Sequence, residues 1–586
     1  MRWSRIGRLL APLCVAVLAV TGCSPDNPGV PTGEETKSGG SVTVMEMNAL
    51  SSFNPASAAG NTDINVKIGH LTHSGFFTID NSAKVVRNEK FGRYERVSED
   101  PLRVRYSVNE GVQWSDGDPV DAGDLLLAWA AGSGYFDDVD PVAGTGSRYF
   151  AAAADTTGLR STSFPELGGD GRSITLTYAS GFADWETAFD VGMPAHVVAL
   201  KSGLADEPAL IDLFEGLPKG DPVRPAPKPE LERVAGFWNS GFESTTLPED
   251  TSLYLSSGPF VVQEVTPGVS VRLVRNRAFE WGPEPLLDEI TIRFAGSAGA
   301  AGQALATGQA DMATVPLAAA GEFRDLGPDS VTVTEFDRFA YEHLDLTFAG
   351  VFADERVRQA FLKTVPRQDI AEAALGAGAS LQDSFVFYPS AAKYVETVAA
   401  NGSDAYSEPD VDGARSLLAG ATPTVRILYN RDNPDRARAF ELIQDSAARA
   451  GFNVVDGGLA AGEWGAALGR GSHDAAISGW VGTGVGVSHL PQVFRSGAGS
   501  NFTGFANRNV DRLLEEAVRH GDQAERDTLL AEADAEIWRS AYGVPLYQAR
   551  GVNARVNRLG GVVPGSGPLG VWWNVSEWHL ERAGGR

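Results

Sequence analysis

The chain has 586 residues, enough at ~100–200 residues per domain for about three structural units. Charged residues make up 21% and hydrophobic residues 43%, ordinary globular usage that excludes wholesale disorder and a multi-span membrane protein. With 49 Lys and Arg against 75 Asp and Glu the net charge is −26, so the summed field repels polyanions and excludes nucleic acid and anionic headgroups as partners for the body of the protein.

The first 22 residues carry Arg2, Arg5 and Arg8, then an apolar run over 9–20. That run is too short to span a ~30 Å hydrocarbon core at ~1.5 Å per residue, and with small residues ahead of a cleavage point it reads as a secretory signal peptide. Its end, Val20-Thr21-Gly22-Cys23, resembles the bacterial lipobox, which implies a diacylated Cys23 as the new N-terminus. Cys14 leaves with the peptide, and the remaining chain has no thiol. Cysteine nucleophiles, cysteine-ligated zinc and internal disulfides are thereby excluded. Removing three arginines and no acid makes the exported body still more acidic. Residues 23–40 hold Pro, Gly, Ser and acids with Val30 as the one aliphatic side chain, the composition of a solvated linker.

From Ser41 the pattern becomes alternating, and strands are expected over 41–47, 102–108, 174–178, 260–265, 269–275, 290–294, 331–336, 425–429 and 475–478. Helical spacing is expected over 122–131, 300–307, 354–365, 410–418, 434–450, 509–519 and 523–539. Mixed in this order, the elements describe α/β lobes. Pro/Gly-rich stretches at 216–228 and 283–285 suggest boundaries. Before the helix at 122, Asp121 is placed to N-cap, with Asp124 as its capping-box partner. The four carboxylates Asp116, Asp118, Asp121 and Asp124 miss the calcium-loop spacing, and capping is the simpler reading. His70 and His73, three apart, have no nearby acid or Cys of metal spacing, so no metal site is expected.

Three blocks carry a resemblance. Residues 102–125 read LRVRYSVNEGVQWSDGDPVDAGDL. The stretch from Ser257-Gly258-Pro259-Phe260 runs through Arg275-Asn276, Trp281-Gly282 and Leu287-Asp288-Glu289-Ile290 to Ala304-Leu305-Ala306-Thr307-Gly308-Gln309-Ala310-Asp311. The third is Asp345-Leu-Thr-Phe with Phe352-Ala-Asp-Glu-Arg-Val-Arg-Gln-Ala-Phe. In this order they resemble the family 5 extracellular solute-binding proteins, the dipeptide- and oligopeptide-type receptors of ABC importers. WRSAYGVPLY at 538–547 is similar to that family's strand returning to the first lobe.

The resemblance implies a two-lobed periplasmic-binding-protein-like α/β fold of type II, the large peptide-binding class. Residues 41–65, 245–325 and 540–586 would form the lobe I core, 66–244 a subdomain inserted in lobe I, and 326–539 lobe II. It further implies a monomeric receptor with no enzymatic activity and no cofactor, held by the Cys23 lipid on the outer face of the cytoplasmic membrane. Such a receptor hands a peptide or peptide-like solute to ABC permease subunits served by cytoplasmic ATPases. The site residues expected from this likeness are Phe53 and Asn54 in an early loop, Phe387 and Tyr388, Trp464, Arg470, Trp480, Gly482 and Thr483, and Asn501 and Phe502. Trp480 would supply a flat wall and Arg470 a carboxylate partner. Thr483 stands where the family carries an Asp for the ligand's ammonium. That departure motivates the alternative of a regulatory or scaffolding envelope lipoprotein without transport. Hydrolase readings lack GxSxG, HExxH and Walker A sequences.

Overall fold

A computed structural model describes residues 39–139, 146–153, 157–482 and 484–581. The signal peptide, Cys23, most of the linker and Thr483 lie outside the described residues. Ten strands form one mixed sheet in the order Asn453–Asp456, Thr424–Leu428, Ala475–Val481, Val331–Leu346, Gly543–Val556, Met312–Pro316, Ser41–Glu46, Glu289–Phe294, Ser270–Arg275 and Phe260–Thr266. Ser41–Glu46 pairs in parallel with Glu289–Phe294 on one side and Met312–Pro316 on the other. Val42 and Val44 are buried there, as the apolar residues of a strand covered on both faces must be.

Two long antiparallel strands, Val331–Leu346 and Gly543–Val556, join the halves of this sheet. Their outer parts pair from Val331 with Val556 to Asp337 with Arg550. Pairing resumes at Tyr341 with Gln548, after a register shift. Beyond the shift, residues 340–346 also pair with Ala475–Val481. The sequence reading ended the first of these strands at Phe336, because Asp337, Arg338, Glu342, His343 and Asp345 interrupt the apolar alternation. The strand continues because those groups find partners, Glu342 with Arg436 and His343 with Asp345.

Between the first and second strands of the large sheet the chain builds a separate four-stranded antiparallel sheet, ordered Gly92–Glu99, Leu102–Val108, Ser173–Thr177 and Glu166–Leu167. Leu102, Val104, Tyr106 and Val108 are buried while Arg103 and Arg105 point outward, the period-two pattern of a strand with one covered face. Each such fully buried aliphatic side chain contributes about 1.5–3 kcal/mol. The helix Ala122–Ser133 begins with the expected capping box. Asp121 accepts from Gly123 N at 2.7 Å, and Asp124 accepts from Asp121 N at 3.1 Å. Asp124 is fully buried, also accepting from Trp114 Nε1 and Ala195 N, and burial pushes its carboxyl up to about 7.

One expectation is corrected. Residues 216–228 do not divide units: they join helices Glu207–Gly216 and Pro229–Ser240, which both pack on Ala195–Lys201. Lys228 is buried against Asp138 at 2.6 Å inside that group. His70 and His73 are packing residues: burial lowers both imidazoles to about 4, with hydrogen bonds to backbone at Trp573 and Trp572 for His70 and at Leu255 for His73. Among the described residues no helix is long and apolar enough to cross a membrane.

Candidate functional site

The pairing of Val331–Leu346 with Ala475–Val481 sets Tyr341 opposite Trp480, His343 opposite Ser478 and Asp345 opposite Ala476. Alternation along each strand brings Tyr341, His343 and Asp345 to one face with Trp480 and Ser478. The His343 ring stacks on Trp480 at 5.9 Å with 5° between planes. Its Nδ1 lies 2.8 Å from Asp345 Oδ1, and its Nε2 lies 3.3 Å from Ser478 Oγ. Tyr542 donates its hydroxyl to Asp345 Oδ2 at 3.3 Å.

In front of this face is a cavity of about 190 Å³, walled by Trp464, Trp480 and Phe502, with Asp345, His473 and Ser478 among its polar lining. Trp480 also walls a smaller recess on its other side, with Tyr341, Phe387, Tyr388 and Gly482. Burial pushes the Tyr388 hydroxyl's pKa upward, against the effect of a hydrogen bond with the Gly482 backbone. The loop carrying Phe387 is held by Asp534, which accepts from Phe385 N at 2.7 Å and from Asn401 Nδ2 at 2.7 Å. Desolvation raises this carboxyl to about 6.

Arg436 makes a two-pronged ion pair with Glu342, at 2.8 and 3.0 Å, and its guanidinium lies 5.1 Å from the Trp464 ring centre. Gly479 fits beside the pair because a Cβ there would stand 2.6 Å from Glu342 Oε1. With this cation engaged, Trp464 is held in place as one wall.

The region inserted before Phe260 reaches across to this half of the molecule. Asp184 Oδ2 accepts from Val487 N at 2.7 Å and Ser488 N at 2.8 Å. Ala183 N donates to Val518 O, and Gln492 Nε2 donates to Thr157 Oγ1. The glycine-rich loop after Trp480 receives the Asp184 carboxylate. A Cβ on Gly486 would meet it at 2.7 Å, and Gly486 holds φ +78°, a region that favours glycine.

The residues expected from sequence divide accordingly. Trp464, Trp480, Phe502, Phe387, Tyr388 and Gly482 line the two cavities that share Trp480. Arg470 does not: it is exposed at the C-terminal end of the helix Ala461–Arg470, where a cation complements the exposed carbonyls. Phe53 is buried beside Tyr254 at 5.8 Å, and Asn54 is spent on the Trp238 carbonyl and the Ala56 amide, both apart from the Trp480 cavities. Asn501 shapes a turn, bonding Arg495 O, Phe505 O, Thr503 Oγ1 and Phe505 N. Sequence reasoning did not single out Asp345, His473 or Asp184 as site residues. The signal for Asp345 was a carboxylate two residues from His343 on one strand, which becomes legible only when the strand is known to continue past Phe336. Elsewhere, Asp118, His196 and Glu207 present ligand-type atoms within 4.8 Å of one another; His196 escaped attention because its partners are distant in sequence.

Residues 220–502 match the family model described as bacterial extracellular solute-binding proteins, family 5 middle. The chain is 28% identical over 542 residues to lipoprotein Rv2585c of Mycobacterium tuberculosis, covering 91% of this chain and 92% of that protein. Its fold is similar to the periplasmic EDTA-binding protein EppA, with a TM-score of 0.78 and 19% identity over 95% of this chain and 100% of the other. It is also similar to the oligopeptide-binding protein AppA from Bacillus subtilis, solved with a nonapeptide, with a TM-score of 0.70 and 16% identity over 94% and 100%.

Proposed function

The chain is a family 5 extracellular solute-binding protein, and we propose that it captures a peptide or peptide-like solute as the receptor of an ABC importer. The observation that carries this reading is the pair of cavities sharing Trp480, which set aromatic walls beside convergent polar groups such as Asp345, His473 and Ser478, the make-up of a small-molecule site. Trp464, Trp480, Phe502, Phe387, Tyr388 and Gly482 are assigned to ligand contact. In this reading 41–65, 245–325 and 540–586 make the core of one lobe, 66–244 its inserted subdomain, and 326–539 the second lobe. The lobes hinge along the paired strands Val331–Leu346 and Gly543–Val556 that join them, and Asp184 holds them together. Ligand favours the closed arrangement by its differential contacts with the two states.

The anchor is Cys23, on the outer face of the cytoplasmic membrane, in keeping with the lipoprotein name of the mycobacterial relative. The partners are permease subunits, and no step of chemistry is assigned to the protein. A thermal-shift screen of the mature chain against peptides of two to nine residues and against metal chelates including EDTA tests the substrate class, since a ligand bound only to the folded state raises the midpoint. Peptides are expected to shift it. Shifts by chelates alone would replace the peptide assignment, and no shift with any solute would favour the regulatory lipoprotein.

A further inference from the structure

The larger cavity has one carboxylate in its lining, Asp345, and no Lys or Arg. The nearby Arg436 is engaged by Glu342 through both prongs of its guanidinium. Asp345 has two donors, His343 Nδ1 and Tyr542 Oη. His343 Nε2 lies 3.3 Å from the Ser478 hydroxyl, so both ring nitrogens have a partner. Asp345 is only 9% exposed, and a carboxylate so placed gains from a cation that brings its own hydrogen bonds.

A second, separate observation is His473. It is 9% exposed and lines the same cavity, and its Nδ1 is buried with no hydrogen-bond partner among the described residues. A buried polar atom left in that condition costs free energy unless a ligand satisfies it. Burial is also the first cause of a lowered pKa at this ring, against the nearby charges of Asp474 and Asp345, so the neutral form, with one nitrogen free to accept, is the form favoured. The walls are the rings of Trp464, Trp480 and Phe502, whose faces attract cations and cover apolar stems.

We propose that this cavity is a subsite for a cationic group on an apolar stem, an ammonium or guanidinium of the bound solute. Asp345 is its counter-charge, His473 and the Ser478 hydroxyl accept its remaining protons, and Trp480 and Trp464 flank the stem. The inference rests on the solute-receptor reading and names the chemistry of the solute.

The test uses the mature full-length chain and isothermal titration calorimetry with tetra-alanine peptides carrying lysine, norleucine or glutamate at each position in turn, and with agmatine alone. The expected result is one position at which lysine binds at least about tenfold tighter than norleucine, a difference worth about 1.4 kcal/mol, with glutamate weakest. D345N brings lysine and norleucine to within about twofold of each other. H473A lowers the lysine preference severalfold and serves as the readout if D345N does not fold. Equal affinity for lysine and norleucine at every position, or a lysine preference that survives D345N, overturns the subsite and leaves the receptor reading intact. Binding of no peptide overturns the peptide assignment. In that case, agmatine bound by the wild type and lost in D345N supports the subsite, and agmatine bound by neither overturns it as well.

Discussion

The carboxylate of Asp184 accepts the backbone N–H of Val487 at 2.7 Å, across a sequence separation of 303 residues. The same oxygen takes the Ser488 N–H, so one buried charge on the inserted region is satisfied by the loop that follows Trp480. Opening the molecule at this point exchanges two charge-assisted hydrogen bonds for water.

Hydrogen bonds to charged groups contribute about 1.5–3 kcal/mol each, and those made only in the closed arrangement bias closure. Asp184→Ala is therefore expected to weaken solute affinity about tenfold or more, and to enlarge the radius of gyration of the solute-bound protein in small-angle scattering. Global thermal stability should change little, because in the proposed division the contact joins two lobes rather than packing the core of one. An unchanged affinity and radius would remove Asp184 from the closing contact.

Stability should fall as pH rises between about 4 and 7. Asp124 and Asp534 are buried carboxyls whose folded pKa values are raised, to about 7 and about 6, by desolvation. Over that window these carboxyls, together with Asp190 at about 7 and Glu207 at about 9, bind more protons folded than unfolded and outnumber the opposing His70 and His73, lowered to about 4, so protonation favours folding. Below about 4 the trend reverses, as carboxylates held low in the fold, such as Asp250 at about 2 beside Lys201 and Ser252, begin to take protons. Thermal midpoints measured from pH 3 to 8 should pass through a maximum near pH 4–5. Asp534→Asn should flatten the decline between pH 5 and 7; a decline of unchanged slope would assign it to other groups.

Lys228 and Asp138 form an ion pair whose side chains are 3% and 2% exposed, and Asp138 also accepts from Asp221 N and Tyr149 Oη. Removing one partner of such a pair leaves a buried charge uncompensated, at about 3–5 kcal/mol. Lys228→Met should destabilise the inserted region by that amount in urea unfolding. Solute affinity measured at low temperature, where the variant remains folded, should not change.

The fold was legible to the extent that its elements bury one face with a regular period. The helices Pro434–Ala450 and Gln523–Arg539 begin and end where spacing and capping residues put them, and Leu102–Val108 alternates as read. The strand Val331–Leu346 was cut short because its second half carries charges, and charges in a buried strand are interpretable only through partners such as Arg436 and Tyr542 that lie far off in sequence. The site was legible in its aromatic side chains and not in its polar ones. Trp464 and Trp480 announce themselves as large flat surfaces. Arg470 and Asn501 carry the right functional groups, yet the end of a helix and a tight turn claim them. Asp184 could not have been assigned from spacing at all, since its role depends on how two distant regions of the chain meet.

The central claim is that a solute is held against Trp480, and substitution of that residue tests it most directly. Calorimetric titration of a solute found in the thermal-shift screen into wild type and Trp480→Ala should show affinity falling at least about a hundredfold, the loss of an aromatic anchor worth about 3 kcal/mol. The variant's unfolding midpoint without solute should shift far less, because Trp480 is only partly buried. Solute affinity within twofold of wild type in a folded Trp480→Ala variant would contradict the account.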